Sequence, residues 1–188
     1  MKAVLDANVL MPSVLREMLL GAAAEGAFTP LWSARILEEW ARASRKLPPG
    51  AEAFARAGIA ALRAGWPEAE IAADPDLEST LSLPDPNDRH VLATAIAGGA
   101  GIIVTRNRAD FPTRTLARHG VLLREPDGLL LEFHEERGLG PVATAVRRRA
   151  ETASGRPQAM RAMLKRAGLP RLGKALADTG AAPPVIPR

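Results

Sequence analysis

The sequence contains no cysteine, which excludes a disulfide scaffold, a thiolate metal site and a cysteine nucleophile together. It also lacks a long apolar run. Its longest uncharged stretch, Val91 to Thr105, covers fifteen residues and is broken by Gly98, Gly99 and Gly101. That is short of the ~20 apolar residues a membrane-spanning helix needs. Acidic Asp6 and Glu17 interrupt any early apolar stretch, so no signal peptide is expected. Aromatics are few, four phenylalanines and three tryptophans, and are read as core and not as stacking platforms for bases. His90, His119 and His134 are scattered and are read as structural or surface residues. No internal repeat is visible. What remains is an ordinary globular composition, 47% hydrophobic and 24% charged over 188 residues. That size suits one α/β domain with an extension, and the expectation is a soluble, cytoplasmic protein.

The formal charge of +4 hides an asymmetry. Residues 1–125 hold 14 Lys/Arg and 15 Asp/Glu, a net of −1, whereas residues 126–188 hold 11 and 6, a net of +5. Within 141–174, nine basic residues stand against one acid, Glu151. A basic stripe beside a near-neutral body suggests nucleic acid or an acidic partner, although a solvated helix face gives the same pattern. Arginine supplies 21 of the 25 cations and suits bidentate phosphate recognition. A compositional bias that includes 36 alanines and 16 prolines would favour arginine anyway, so the location of the charge carries the information.

Along the chain, Lys2 to Leu5 reads as a buried strand ending at Asp6. Val14, Met18, Leu19 and Ala22 recur at helical spacing within 13–25. Trp32-Ser33 opens the next helix, with Ser33 as N-cap and Ile36, Leu37, Trp40 and Ala41 in one stripe. Residues 51–65 read as helix, and a short helix is expected within 75–82. Leu83-Pro84-Asp85-Pro86 starts a helix running to about Ala97, with Asp85 at N-cap and Pro86 in the first helical position. Ile102 to Thr105 reads as a buried parallel strand, followed by a helix to His119 and a strand over 121–123. This alternation predicts an α/β fold with a parallel sheet and helices on both faces. Beyond Pro126 only helices are expected, over 127–137, 141–153, 157–167 and 170–178, with a frayed end at Ala181 to Arg188. The predicted organisation is an α/β core over 1–125 and a helical, basic extension over 126–188.

The informative residues are acids at the mouths of these elements. Asp6 follows a buried strand, where sites form in open parallel sheets, though a turn cap explains one Asp as well. Asp88 lies one turn before Val91 and Leu92 on an apolar face. A carboxylate there is costly unless paired or bound to metal, or favoured by the helix N-terminus. Asp110 follows the Ile102–Thr105 strand, with Thr105 and Asn107 between as polar support. Glu38 and Glu39 fall at opposite margins of their helix stripe, and periodicity does not choose between them. Clustered carboxylates repel unless a cation compensates, and Mg²⁺ or Mn²⁺ prefers oxygen ligands. Such a site commonly hydrolyses phosphodiesters. Gly98 to Gly101 precedes a strand instead of following one, which argues against a Rossmann-type cofactor enzyme.

Four segments then resemble, in order, the motifs of PIN-domain proteins. They are Val4-Leu5-Asp6-Ala7-Asn8-Val9-Leu10, Trp32-Ser33 to Glu38-Glu39-Trp40, Leu83-Pro84-Asp85-Pro86-Asn87-Asp88-Arg89-His90-Val91-Leu92-Ala93, and Ile103-Val104-Thr105-Arg106-Asn107 to Asp110-Phe111-Pro112. The likeness is closest to the VapC-like group, the toxins of type II toxin–antitoxin pairs. It implies a PIN-like parallel sheet flanked by helices and a Mg²⁺- or Mn²⁺-dependent endoribonuclease. The resemblance assigns catalysis and metal binding to Asp6, Glu39, Asp88 and Asp110, with Asn8, Thr105 and Asn107 in support. Glu38 and Asp85 stand as substitutes for their neighbours. It further implies an RNA substrate, a cognate antitoxin and a homodimer. The helical extension departs from the shortest VapC-like proteins. Its Arg147, Arg148, Arg149, Arg161, Lys165 and Arg166 are candidate contacts to nucleic acid or a partner. A non-catalytic RNA- or protein-binding module that keeps the fold is the alternative.

Overall fold

The computed structural model describes residues 1–179, with side chains through residue 177; the expected frayed end at Ala181 to Arg188 lies outside them. In chain order the elements are β1 (Lys2–Leu5), α1 (Ala7–Leu10), α2 (Ser13–Ala24), β2 (Thr29–Ser33), α3 (Ala34–Ala43), α4 (Ala51–Gly65), β3 (Glu70–Ile71) and α5 (Pro75–Thr80). After them come α6 (Arg89–Gly98), β4 (Ile102–Val104), α7 (Thr113–Ala117), β5 (Leu122–Arg124), α8 (Pro126–Arg137), α9 (Gly140–Ser154), α10 (Met160–Arg166) and α11 (Pro170–Thr179). The chain forms two compact units, Met1–Pro12 with Gly26–Glu125, and Ser13–Glu25 with the segment from Pro126 onward.

In the first unit the strands make one parallel sheet in the order β3-β2-β1-β4-β5, flanked by helices. Ala3 stands opposite Pro30 on one side and Ile102 on the other. Val4, Leu5, Ile103 and Val104 are wholly buried, as apolar runs in the centre of a parallel sheet require. The chain moves outward from β1 through β2 to β3, then returns to lay β4 on the opposite side of β1. The direction therefore reverses between β1 and β4, and crevices for ligands open at the carboxyl ends of strands at such a reversal.

Two local expectations are corrected. Trp32-Ser33 closes a strand, β2, before Ser33 caps α3 by accepting from the Ile36 N–H at 3.3 Å. Pro30 disguises this strand because it cannot donate to a ladder. It is tolerated because β3 pairs only with Trp32 and Ser33, so no strand faces Pro30 on that side. Likewise Pro86–Asp88 forms a 3-10 turn, capped by Asp85 Oδ1 accepting from Asn87 N at 2.8 Å. The α-helix starts only at Arg89, which leaves Asp88 at its N-cap position.

In the second unit, α2 buries Leu15, Met18, Leu19 and Ala22, and a Cβ at Gly21 would collide with Val142 of α9. That close approach explains why a helix from the N-terminal region belongs with the C-terminal ones. Leu129, Leu130, Leu139, Val146, Leu164 and Leu172 fill the unit's interior.

Candidate active site

Asp6 ends β1 and is 6% exposed, its N–H donating to Val104 O at 3.2 Å. Its Oδ2 accepts from Thr105 Oγ1 at 2.7 Å and from Asn8 Nδ2 at 2.6 Å. Asn8 Nδ2 also donates to Thr105 Oγ1 at 2.8 Å, while Asn8 Oδ1 accepts from the Arg106 N–H at 3.1 Å. Thr105 Oγ1 in turn accepts from Asn107 N at 3.0 Å. Asn107 Nδ2 then donates to Asp110 Oδ2 at 2.5 Å and to Asp88 Oδ2 at 3.3 Å. A continuous polar chain thus runs from the end of β1, across the loop after β4, to the start of α6.

The acids on this chain feel one another. Burial raises the Asp6 pKa, and hydrogen bonds from Thr105 and Ala7 oppose the rise; nearby Glu39 raises it further and His90 lowers it. Asp88 is pushed up to about 6, first by burial and then by the charges of Asp6, Asp110, Asp85 and Glu39. Repulsion of this kind is what carboxylates gathered without a cation produce.

The two helix glutamates part company. Glu38 pairs with Arg42 and Arg56, each at 3.2 Å, and those guanidiniums hold its carboxyl below its usual range. It lines a groove between α3 and α4 with Leu37, Ile59 and Arg63. Glu39 lies 2.8 Å from His90 Nε2 and 3.5 Å from Arg35 Nε, and its charge reaches both Asp6 and Asp88. The His90 approach is out of line for a hydrogen bond, since neither nitrogen of this buried ring has a hydrogen-bond partner. Asp85 serves as the cap of its turn.

Among the described residues, no three acidic or histidine side chains are spaced to enclose a metal ion as they stand. In kind the donors fit a hard divalent cation, being carboxylate oxygens in mutual repulsion. In spacing, the carboxylates would have to draw together, and the Asn107 amide now lies between Asp88 and Asp110.

Three residues at the site carry no signal that sequence reasoning used. His90 reads as structural in the sequence, yet it faces Glu39; its position two residues after Asp88 is the available signal. Arg35 sits one turn before Glu39 on the same helix and also binds Glu78 Oε1 at 2.9 Å and Asn87 O at 3.2 Å. Arg106 is exposed beside Asn8 with no ion pair among the described residues. Of the six basic candidates in the extension, Arg149 pairs with Glu17, Arg147 lies 3.9 Å from Glu151, and Arg166 donates to Gln158. Arg148, Arg161 and Lys165 are exposed, with no side-chain partner among the described residues.

The PIN domain family model matches residues 2–109, more than half of the chain, taking in Asp6, Glu39 and Asp88 and ending one residue before Asp110. The chain belongs to the PIN-domain family. PIN domains are generally nucleases, acting on RNA or DNA and using divalent metals. No curated protein and no solved structure matches the chain. Among the described residues no helix is long and apolar enough to cross a membrane.

Proposed function

We propose that the chain is a Mg²⁺- or Mn²⁺-dependent endoribonuclease that hydrolyses RNA phosphodiester bonds. The observation that carries this reading is the polar chain joining Asp6, Asp88 and Asp110 at the reversal of the sheet. Asp6, Asp88 and Asp110 would hold the ion and Glu39 would complete the group. A bound divalent ion supplies a Lewis acid and a water of lowered pKa. Thr105 and Asn8 fix the rotamer of Asp6 through its Oδ2. His90 and Arg35 restrain Glu39, which orients the attacking water. Arg106, exposed at the mouth, meets the substrate phosphate. A role as the toxin of a toxin–antitoxin pair, an antitoxin that covers the acids, and a homodimer rest on the motif resemblance alone.

The width of the acid group and the Asn107 amide within it favour a second reading, a non-catalytic module that binds RNA or protein. Incubation of purified protein with single-stranded RNA and Mg²⁺, with and without EDTA and beside Asp88→Asn, separates the two. The nuclease reading expects cleavage that EDTA and Asp88→Asn both abolish. Equal cleavage by wild type and variant implicates a contaminant and overturns it. RNA binding without cleavage, unchanged by EDTA and by Asp6→Asn, supports the module.

A further inference from the structure

We propose that α10 and α11 form a phosphate-binding face that holds the backbone of single-stranded RNA through contacts separate from the acids. The identity of the polymer rests on the ribonuclease reading; the anion-binding face itself rests on the helical unit alone.

Between Glu151 and Asp178 the sequence carries six cations, Arg156, Arg161, Lys165, Arg166, Arg171 and Lys174, with no acid among them. All six cations are exposed. Met163, Leu164 and Leu172 are the buried side of these helices, so Arg161 and Lys165, one turn apart, share the outward side. Like charges at that spacing destabilise a helix. Gly173 brings the two helices together: a Cβ there would meet Leu164 Cβ at 3.2 Å and Arg161 O at 3.3 Å. Lys174, the next residue, is exposed on α11.

Among the described residues, two carboxylates reach this region and keep their charge, fewer than the six cations. Their hydrogen bonds go to backbone amides, and Glu151 also lies 3.9 Å from Arg147. Asp127 accepts from Arg171 N and Leu172 N, both at 3.0 Å. Glu151 accepts from Gln158 N at 2.9 Å. Arg166 has a neutral partner, Gln158, so its charge remains uncompensated.

An acidic protein would satisfy the same charges, but protein interfaces centre on a desolvated cluster in which aromatic side chains accompany arginine. The exposed large apolar side chains, Met1, Met11, Leu47, Phe54 and Leu122, all belong to the first unit. Among the described residues the helical unit shows none. A surface of cations without apolar anchors or stacking rings suits a phosphodiester backbone, bound with steep salt dependence and little base preference.

The test uses full-length protein carrying Asp88→Asn, so that RNA survives, and fluorescein-labelled oligouridylate in anisotropy titrations over a NaCl series. Adding Arg161→Gln, Lys165→Gln and Lys174→Gln should flatten the slope of log K against log salt by about 2, at ~0.7 for each single-strand phosphate left without its cation. Affinity at low salt should fall about tenfold or more, oligocytidylate should behave alike, and Arg161→Lys with Lys165→Arg should keep the parent slope. Unchanged slopes overturn the proposal, as does polyglutamate binding as tightly as RNA of equal length. In chains that retain Asp88, the glutamine variants should raise KM for cleavage and leave kcat unchanged. A slope change in a chain that never cleaves RNA leaves this face standing and removes the nuclease reading instead.

Discussion

Asp88→Asn should stabilise the metal-free protein while destroying its activity. The Asp88 pKa rises from 3.8 to about 6 in the folded chain, so the folded state binds the proton more tightly than the unfolded state does. The resulting stability is fully present below about pH 4 and is lost as pH rises through about 6; above that the ionised carboxylate is a liability. Two pK units correspond to ~3 kcal/mol. Asp88 is only half-buried, and solvent screening reduces this to about 1–2 kcal/mol. Asparagine removes the charge, keeps the shape, and can still accept from Asn107 Nδ2 through its own oxygen. Unfolding by urea and by heat in EDTA should therefore show Asp88→Asn more stable than wild type at pH 8. The expected Tm gain is ~3–6 °C, and the difference should vanish near pH 4. Comparing the two proteins at each pH cancels other carboxylates, such as Glu52, which Arg45 and Arg56 hold down to about 2. Mg²⁺ should then raise wild-type stability and leave the variant unmoved. No gain at pH 8, or an equal gain at pH 4, would refute the argument that the acids lack a compensating charge.

Three further outcomes are expected. Thr105→Val removes a fully buried hydroxyl that donates to Asp6 and accepts from Asn8 and Asn107; urea unfolding should show a loss of about 1–3 kcal/mol, and cleavage should fall. Glu39→Gln should lower RNA cleavage while Glu38→Gln leaves it intact, and the reverse order in a gel assay would reassign the helix acid. Gly98→Ala would drive a Cβ to 2.7 Å from Leu31 Cδ1 and 3.1 Å from Ile71 Cγ1; overpacking there should lower stability in urea by about 1–3 kcal/mol.

The sheet is legible where its strands are continuous apolar runs, as in Lys2–Leu5 and Ile102–Val104. Thr29–Ser33 is hidden because Pro30 breaks the expected donor pattern and because Ser33 signals a helix cap so strongly. Glu70–Ile71 is too short to show any period. At the site, the acids stand out by their positions at strand ends and helix starts. Periodicity does not separate Glu38 from Glu39, since tertiary neighbours distinguish them: Arg56 of α4 beside Glu38, and His90 of α6 beside Glu39. His90 is opaque for a related reason: its partner, Glu39, lies 51 positions away, and no local pattern links them. In the extension, charge counting locates the basic stretch but not the carboxylates that neutralise Arg147 and Arg149, one of which, Glu17, comes from α2.

The placement of Asp6 and Thr105 has a consequence for motion. The Asp6 N–H continues the ladder to Val104 O, and the Thr105 N–H continues it to Arg124 O, so both residues are fastened to the middle of the sheet. Backbone amides in such positions exchange with solvent hydrogen only when the whole fold opens. Asp88 and Asp110 stand instead on a 3-10 turn and a loop, and a bound ion or substrate can reposition these without disturbing a strand. Hydrogen–deuterium exchange should thus divide the site into a fixed half, Asp6 and Thr105, and a compliant half around residues 85–88 and 106–112, with ligand-induced protection confined to the second.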